Sequence, residues 1–307
     1  MHRRAFVSLL ASMPAMAVLA GCKSSSTIGS LDRVWGRRGI SDGRLQKPRA
    51  MTIDADDQIY IVDMTARIQV FTTDGEFLRG WQTPEHVNGR PTGISIDRHG
   101  NVLVPDTHYY RVLVYSPTGE LLETLGGQFG TAPGRFGWPT DVQVDDEGNW
   151  YVSEYGEYDR IQKFSPQREF LLEWGGHGPA PAQFSRPQSM ALDSDGNVWV
   201  ADACNHRLQI FDGQGRLVKM WGSHGSQPGQ LAYPYGLLLD GRGHAYVCEF
   251  GNHRVQKFTL DGQSLGCWGR PGRAPGELRN PWSLVRDKLG RIHVLDTNNH
   301  RVQRIFM

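Results

Sequence analysis

Three histidines stand in nearly identical local sequences, and imidazole is a side chain that binds zinc and transfers protons. His206, His253 and His300 each follow an asparagine and precede an arginine. A zinc site needs ligands that converge on one ion at about 2 Å, whereas equivalent positions of a repeated unit point away from one another. We therefore expect these histidines to have structural roles. Four more loop histidines have no spacing that selects a metal-binding pair or a general base: His86, His108, His177 and His224.

An acidic residue is followed by an arginine, four to six positions later, in six related segments. A carboxylate beside a guanidinium forms a charge-assisted hydrogen bond, and a reaction seldom requires six copies of one group. The pattern therefore predicts structural ion pairs, within one unit or between neighbouring units. The acids are Asp63, Asp106, Glu154, Asp202, Glu249 and Asp296, and the arginines are Arg67, Arg111, Arg160, Arg207, Arg254 and Arg301.

These residues belong to a unit that returns every 43 to 49 residues. Each unit begins at a proline and contains four short segments, of which the second and third alternate in the manner of β-strands. Four antiparallel strands repeated six times predict an all-β fold, a six-bladed β-propeller. The unit prolines are Pro48, Pro91, Pro139, Pro187, Pro234 and Pro281.

The last unit stops one strand short of the others. Residues 30–36, SLDRVWG, match the unit-final strands at 170–175, 217–222 and 264–269. We therefore expect the N-terminal strand to complete the sixth blade. This arrangement removes exposed strand edges, which invite aggregation.

The segments CNHRLQIF, GNHRVQKF and NNHRVQRI resemble the NHL repeat family, and the resemblance covers the chain from residue 30 onward. It implies the six-bladed fold but no single function, because members include protein-binding scaffolds and RNA binders and related groups include enzymes. Strands such as YVSE resemble the peptide-amidating lyases, whose zinc-binding histidines follow the unit prolines. Here those positions hold Arg49, Thr92, Thr140, Gln188, Tyr235 and Trp282. The residues that bind calcium in six-bladed lactonases also have no counterparts at the matching positions of this chain.

The N-terminus differs in composition from the rest of the chain. Arg3 and Arg4 precede an apolar stretch that ends in Leu19-Ala20-Gly21-Cys22, which resembles a bacterial lipoprotein signal. The resemblance implies cleavage before Cys22 and lipidation of that residue. The arginine pair also resembles a twin-arginine export signal, so the sequence leaves both export routes open.

The predicted organisation is a signal peptide at 1–21, a lipidated cysteine and tether at 22–27, and one propeller at 28–307. We expect a lipid-anchored protein of the bacterial cell envelope, on its periplasmic or extracellular face. Outer membrane is favoured over inner membrane, because Lys23 rather than aspartate follows the cysteine. Contact with the membrane is expected through the lipid anchor alone.

Charge and cysteine content narrow the function classes. The chain has 33 Lys and Arg against 32 Asp and Glu. It therefore lacks the excess of basic residues that is typical of proteins that bind nucleic acid. Cys204, Cys248 and Cys267 have no metal-ligand spacing and allow at most one disulfide. The sequence therefore predicts no nucleic-acid partner and no cofactor, while leaving a channel-bound metal open.

The units differ most in the loops of units two and three, on the face where the first strand begins. Aromatic residues with a few charges on an exposed rim are typical of binding surfaces, although such rings also cover the ends of their own blades. The favoured prediction is a non-enzymatic scaffold that binds an envelope protein, peptide or saccharide. The loop-face residues are Tyr109, Tyr110, Phe136, Trp138, Tyr155, Tyr158, Tyr235 and Trp282.

The alternative prediction is a metal-dependent lyase or hydrolase with its site in the central channel. Its candidate residues are Arg49, Glu154 and Glu249, with Tyr155 beside them. Ligands of propellers are expected at the mouth of that channel, so both interpretations place the site on one face.

Overall fold

A computed structural model describes residues 27–307, which form six four-stranded antiparallel sheets. The predicted all-β, six-bladed β-propeller is confirmed. The predicted signal peptide, Cys22 and the tether up to residue 26 lie outside the described residues.

Each blade is built from strands that are consecutive in the chain, apart from the last. Blade one contains β2 (Ala50–Ile53), β3 (Ile59–Val62), β4 (Arg67–Phe71) and β5 (Phe77–Gln82). Blade two contains β6 (Ser95–Ile96), β7 (Val102–Asp106), β8 (Arg111–Tyr115) and β9 (Leu121–Gly126). Blade three contains β10 (Trp138–Val144), β11 (Trp150–Tyr155), β12 (Arg160–Phe164) and β13 (Phe170–Gly175).

Blade four contains β14 (Pro187–Leu192), β15 (Val198–Asp202), β16 (Arg207–Phe211) and β17 (Leu217–Trp221). Blade five contains β18 (Pro234–Leu239), β19 (His244–Glu249), β20 (Arg254–Thr259) and β21 (Ser264–Trp268). Blade six contains β22 (Ser283–Arg286), β23 (Ile292–Asp296), β24 (Arg301–Phe306) and the N-terminal β1 (Ser30–Trp35). Three short 3-10 helices join second and third strands, at Thr107–Tyr109, Ala203–Asn205 and Thr297–Asn299. Within residues 27–307 no helix has the length and apolar character needed to cross a bilayer.

The core of the described residues consists of six apolar clusters, each of which combines residues of two neighbouring blades. Tyr60 and Val70 of blade one, for example, pack in one cluster with Val104 and Leu113 of blade two. The inner strands are buried on both faces because a blade lies against each side, whereas an outer strand such as β5 alternates between half-buried and exposed residues. Burial between blades therefore holds the ring together, since a four-stranded sheet cannot cover its own faces.

The ring closes at the junction of the two chain ends, as predicted. Strand β1 pairs antiparallel with β24, from Ser30 opposite Phe306 to Trp35 opposite Val302. Trp35 is buried in a cluster shared with blade one. Arg304 on β24 donates to Asp32 of β1 and, over 2.8 Å, to Asp74 of blade one. Apolar packing and an ion-pair network thus join the first and last blades.

This closure predicts that Trp35→Ala destabilises the chain by about 3–5 kcal/mol, because the substitution leaves a cavity at the seam, the junction between the first and last blades. The measurement is guanidinium chloride unfolding followed by tryptophan fluorescence. Trp138→Ala is the matched control, since Trp138 is 37% exposed, and it should cost less than half as much. Equal losses would contradict the role given to the seam.

Candidate functional site

All six predicted acid–arginine pairs are present, each at the point where the second strand ends and the third begins. The pairs join side chains of the same blade over 2.6–2.9 Å, and all six carboxylates are fully buried. A buried carboxylate needs a cation and hydrogen-bond donors to remain charged. These pairs therefore serve the fold, as expected.

In five blades the pair also holds the entry loop, the segment between the last strand of one blade and the proline of the next. Arg207 donates from Nη2 to the carbonyls of Ala180 and Gln183, over 2.8 and 2.7 Å. Its partner Asp202 accepts the backbone N–H of Ser185 over 2.7 Å. The same two kinds of contact recur in blades one, three, five and six, made by Arg67, Arg160, Arg254 and Arg301 and by their acids.

The repeated Asn-His pair extends this network to the neighbouring blade. Asn205 donates to Asp202 and to the carbonyl of Gly178. The ring Nδ1 of His206 accepts the backbone N–H of Tyr233, the residue before the next proline, over 3.1 Å. His253 and His300 accept from Asn280 and Lys47 in the same way, each over 2.9 Å. Burial lowers the pKa of all three histidines, which favours the neutral ring that this acceptor role requires.

Blade two departs from this pattern. Its entry loop, residues 82–90, is three residues shorter than the entry loops at 36–47, 175–186, 222–233 and 269–280. Tyr109 and Tyr110 replace the Asn-His pair, and Leu113 replaces the third-strand glutamine that binds the acid in blades three to six.

The acid of blade two is correspondingly short of partners. Asp106 accepts from Arg111 Nε over 2.9 Å, whereas its Oδ1 atom has no hydrogen-bond partner among residues 27–307. Arg111 Nη2 is likewise buried and unpaired in the described structure. Burial raises the pKa of Asp106 to about 6, since only one neighbour stabilises its charge.

A cavity of about 600 Å³ opens beside Arg111 of this pair. We call it the blade-two pocket. Arg111 forms an ion pair with Glu85 over 2.7 Å and lies over the ring of Tyr109, 4.9 Å from its centroid. The pocket is lined by Glu85, Asn88, His108, Tyr109, Tyr110, Arg111, Gly127 and Trp138.

A second feature of the same face is an arc of rings and arginines around the channel mouth, here called the channel-mouth arc. Trp138 packs on Tyr155 with ring centroids 5.2 Å apart. Arg186 lies over Tyr155 and Tyr235, at 4.8 and 5.3 Å from their centroids. The arc continues through the Tyr235–Trp282 contact of 4.8 Å to Arg49, which lies 5.7 Å from the Trp282 centroid. Its members are Trp138, Tyr155, Arg186, Tyr235, Trp282 and Arg49.

Three arginines at this mouth lack an acidic partner. Within residues 27–307 the side chains of Arg49, Arg90 and Arg186 form no salt bridge with a carboxylate. Arg90 donates to the carbonyls of Met64 and Gly89 instead, and Arg186 donates to Gln188. Burial lowers the pKa of Arg49, and the charges of Arg186 and Arg90 lower it further. The mouth is therefore electropositive.

The structure separates seven of the eight predicted loop-face residues into three groups. Tyr109, Tyr110 and Trp138 line the blade-two pocket, whereas Tyr155, Tyr235 and Trp282 belong to the channel-mouth arc with Trp138. Tyr158 lies outside both, because it packs on Phe129, which also contacts Tyr110.

At Phe136 the structure differs from the prediction. Its side chain is fully buried and packs against Phe164, with ring centroids 6.0 Å apart. Because Phe136 fills the space left by Gly126, it offers no surface to a partner.

The predicted channel acids also lie elsewhere. Glu154 is bound by Arg160 and Gln162, and Glu249 by Arg254 and Gln256. Both carboxylates are fully buried in these pairs, so neither is available to a channel-bound cation. Within the described part of the chain, no group of three His, Cys, Asp or Glu side chains is placed to hold a metal ion. Cys204, Cys248 and Cys267 form no disulfide with one another in the described structure.

The channel does contain one acid that the sequence analysis missed. Asp141 lines a central cavity of about 270 Å³, where the equivalent positions of other blades hold Ala50, Gly93, Ser189, Gly236 and Ser283. It is buried and accepts the backbone N–H of Met190 over 2.7 Å. Burial raises the pKa of Asp141 to about 7. A comparison of the residues two places after each proline would have found it.

The raised pKa of Asp141 predicts a pH-dependent stability. The folded chain holds a proton here that the unfolded chain releases near pH 4, so the free energy of unfolding falls as pH rises from about 4 to about 7. Asp141→Ser installs the residue found at this position in blades four and six. It should make the free energy of unfolding less dependent on pH, by the uptake of up to one proton per molecule. Urea unfolding at pH 5, 6, 7 and 8 measures it. Parallel curves for both chains would show that Asp141 titrates normally.

Solved structures of other six-bladed proteins share this architecture at low identity. A protein of unknown function from Bacteroides thetaiotaomicron aligns with a TM-score of 0.70 and 15% identity over 91% of this chain and 76% of its own. A gluconolactonase from Xanthomonas campestris aligns with a TM-score of 0.66 and 14% identity, over 86% of this chain and 87% of its own. A catalytically inactive virginiamycin B lyase from Staphylococcus aureus, solved with quinupristin, aligns with a TM-score of 0.61 and 13% identity, over 90% of this chain and 99% of its own. At these identities the likeness shows the fold alone.

Two segments of the chain match the family model for the NHL repeat. The matched residues are 184–211 and 278–305, which run from the end of the entry loop through the first three strands of blades four and six. Both segments contain the Asn-His-Arg sequence whose contacts join the acid, the entry loop and the next blade. With six four-stranded units in one ring, the chain is a six-bladed β-propeller that carries NHL repeats in blades four and six.

Proposed function

We propose that this protein is a non-enzymatic recognition module that binds an anionic partner across the channel-mouth arc. The observation that carries the proposal is the set of Arg49, Arg90 and Arg186, which share one mouth without forming salt bridges within residues 27–307. Burying like charges side by side is costly unless a counter-charge is bound. An anionic ligand would supply that counter-charge.

The side chains of the arc suit such a ligand. A guanidinium group binds carboxylate, phosphate and sulfate through two parallel hydrogen bonds. Tyr155, Tyr235 and Trp282 hold the arginines over their ring faces and add apolar area beside them. Arginine, tyrosine and tryptophan are the residues most enriched at the energetic centres of binding surfaces.

The alternative, a metal-dependent lyase or hydrolase in the channel, has less support. Its candidate acids, Glu154 and Glu249, are committed to Arg160 and Arg254 in the blades. The similarity to lyase and gluconolactonase structures concerns the fold. No observation on the described residues favours this alternative over binding.

We further propose that the module works at the bacterial cell envelope, anchored through a lipid on Cys22. The lipoprotein-like sequence up to that residue supports this placement. The partner would then be an acidic protein or peptide, or an acidic saccharide, of the same compartment. Both sources present the carboxylate groups that the arginines would bind.

The proposal predicts that Arg49→Met with Arg186→Met weakens binding of anionic polymers at least tenfold, because two of the three cations are removed. Binding of poly-glutamate and of polygalacturonate, measured by fluorescence anisotropy at low salt, distinguishes a peptide source from a saccharide source. Binding to the unaltered chain should weaken as salt increases.

The matched control is Arg216→Met with Arg242→Met. It removes the same charge from exposed turns at the opposite ends of the blades. This control should bind as the unaltered chain does. An equal loss in both double variants, or no binding of either polymer, would overturn the proposal.

A further inference from the structure

We propose that the blade-two pocket binds a peptide segment of a partner protein, which takes the place of the longer entry loop found in the other blades. The inference names a peptide backbone as the ligand. It rests on the proposed function only for the choice of the loop face as the binding side.

The other blades show what an entry loop supplies to the acid–arginine pair. The loop gives backbone carbonyls to the arginine, as Ser226, Gln227 and Gln230 do for Arg254. It also gives a backbone N–H to the acid, as Ala232 does for Glu249 over 3.0 Å. Both contacts are made by peptide groups, so they do not depend on the loop's side chains.

Each of these loops also inserts one apolar side chain, here called the plug, beside the last strand of the preceding blade. The plug lies against a glycine, and a Cβ atom on that glycine would approach the plug to 2.6–3.0 Å. The plugs are Leu45, Phe136, Phe184, Leu231 and Leu278, and all five are fully buried.

Blade two has neither the contacts nor the plug. The plug position, three residues before Pro91, holds Asn88, which lines the open pocket, and the glycine position holds Gln82. Asp106 Oδ1 and Arg111 Nη2 are left without partners in the described chain. His86 of the short entry loop and His108 of the pocket wall each have a buried Nδ1 atom that is also unpaired there.

These unpaired atoms match the chemistry of a peptide backbone. Asp106 Oδ1 needs a donor and Arg111 Nη2 needs an acceptor, and every non-proline residue offers one N–H and one C=O. In the five other blades of this same ring, peptide groups already bind the acid and the arginine of the pair. Tyr109, Tyr110 and Trp138 supply ring faces at the pocket walls for the side chains of the bound segment.

The probe for this inference is a peptide copied from the protein's own entry loop. Residues 223–233, SHGSQPGQLAY, acetylated and amidated, contain the plug Leu231 and the carbonyls that bind Arg254. Titration into the full chain, followed by NMR or calorimetry up to millimolar peptide, should give saturable binding. The same peptide with Leu231→Asp should bind at least tenfold more weakly, because the pocket would then receive a charge in place of the plug.

The matched variant of the protein is a loop graft. Residues 82–89 are replaced by the sequence of residues 222–232, GSHGSQPGQLA, which fills the pocket from within the chain and retains Arg90. The graft should lose peptide binding at least tenfold. Its unfolding midpoint should equal or exceed that of the unaltered chain, which shows that the loss does not come from misfolding.

The outcomes separate this inference from the proposed function. The graft keeps Arg49, Arg90 and Arg186, so polyanion binding should persist in it. Absence of peptide binding to the unaltered chain, undiminished binding to the graft, or a graft that unfolds more easily would each overturn the inference. Peptide binding without polyanion binding would instead overturn the proposed function and leave the pocket assignment standing.

Discussion

The structure depends on a buried carboxylate that must be paired where the second strand of each blade ends. Removing such a charge from water costs several kcal/mol unless a cation and further donors surround it. The chain meets this requirement with an arginine on the next strand, and in five blades also with the backbone of the entry loop. The pair therefore determines where the entry loop lies. The entry loop in turn fixes the proline-led first strand that lines the channel.

In blade two the shorter entry loop contacts the pair through the side chain of Glu85, but none of its backbone groups binds Asp106 Oδ1 or Arg111 Nη2 within the described residues. Asp106 and Arg111 remain paired with each other, but each keeps one atom without a partner in the described chain. The shorter loop leaves a pocket of about 600 Å³. The pocket and the channel-mouth arc share Trp138, so one departure from the repeat places an open site beside the electropositive mouth. In the proposed function, binding takes place where the units stop being equivalent.

Much of this architecture was predictable from the sequence because it is periodic. Alternation defined the inner strands, and the incomplete sixth unit indicated that residues 30–36 close the ring. The structural roles of the acids, of the arginines and of His206, His253 and His300 also followed from their repetition.

The site was less predictable, because it depends on contacts between loops and strands that are distant in sequence. Phe136 looked like a loop-face residue, yet its position three places before Pro139 makes it a buried plug. Arg90 and Arg186 precede different prolines, and only the closed ring brings them to one mouth. A comparison of entry-loop lengths would have singled out blade two, since residues 82–90 form the shortest of the six.

The most direct test of this account compares the acid–arginine pair of blade two with that of blade four. Asp106→Leu with Arg111→Met removes both charges where the entry loop contacts the pair through the exposed Glu85 side chain and not through its backbone, so the cost should be small, as when apolar residues replace a buried ion pair. Asp202→Leu with Arg207→Met leaves without partners the loop carbonyls and the backbone N–H that the pair now binds. Each such buried group costs about 1–3 kcal/mol of stability. The measurement is the free energy of unfolding in guanidinium chloride. The account predicts that the blade-four variant loses at least about 3 kcal/mol more than the blade-two variant; equal losses would contradict it.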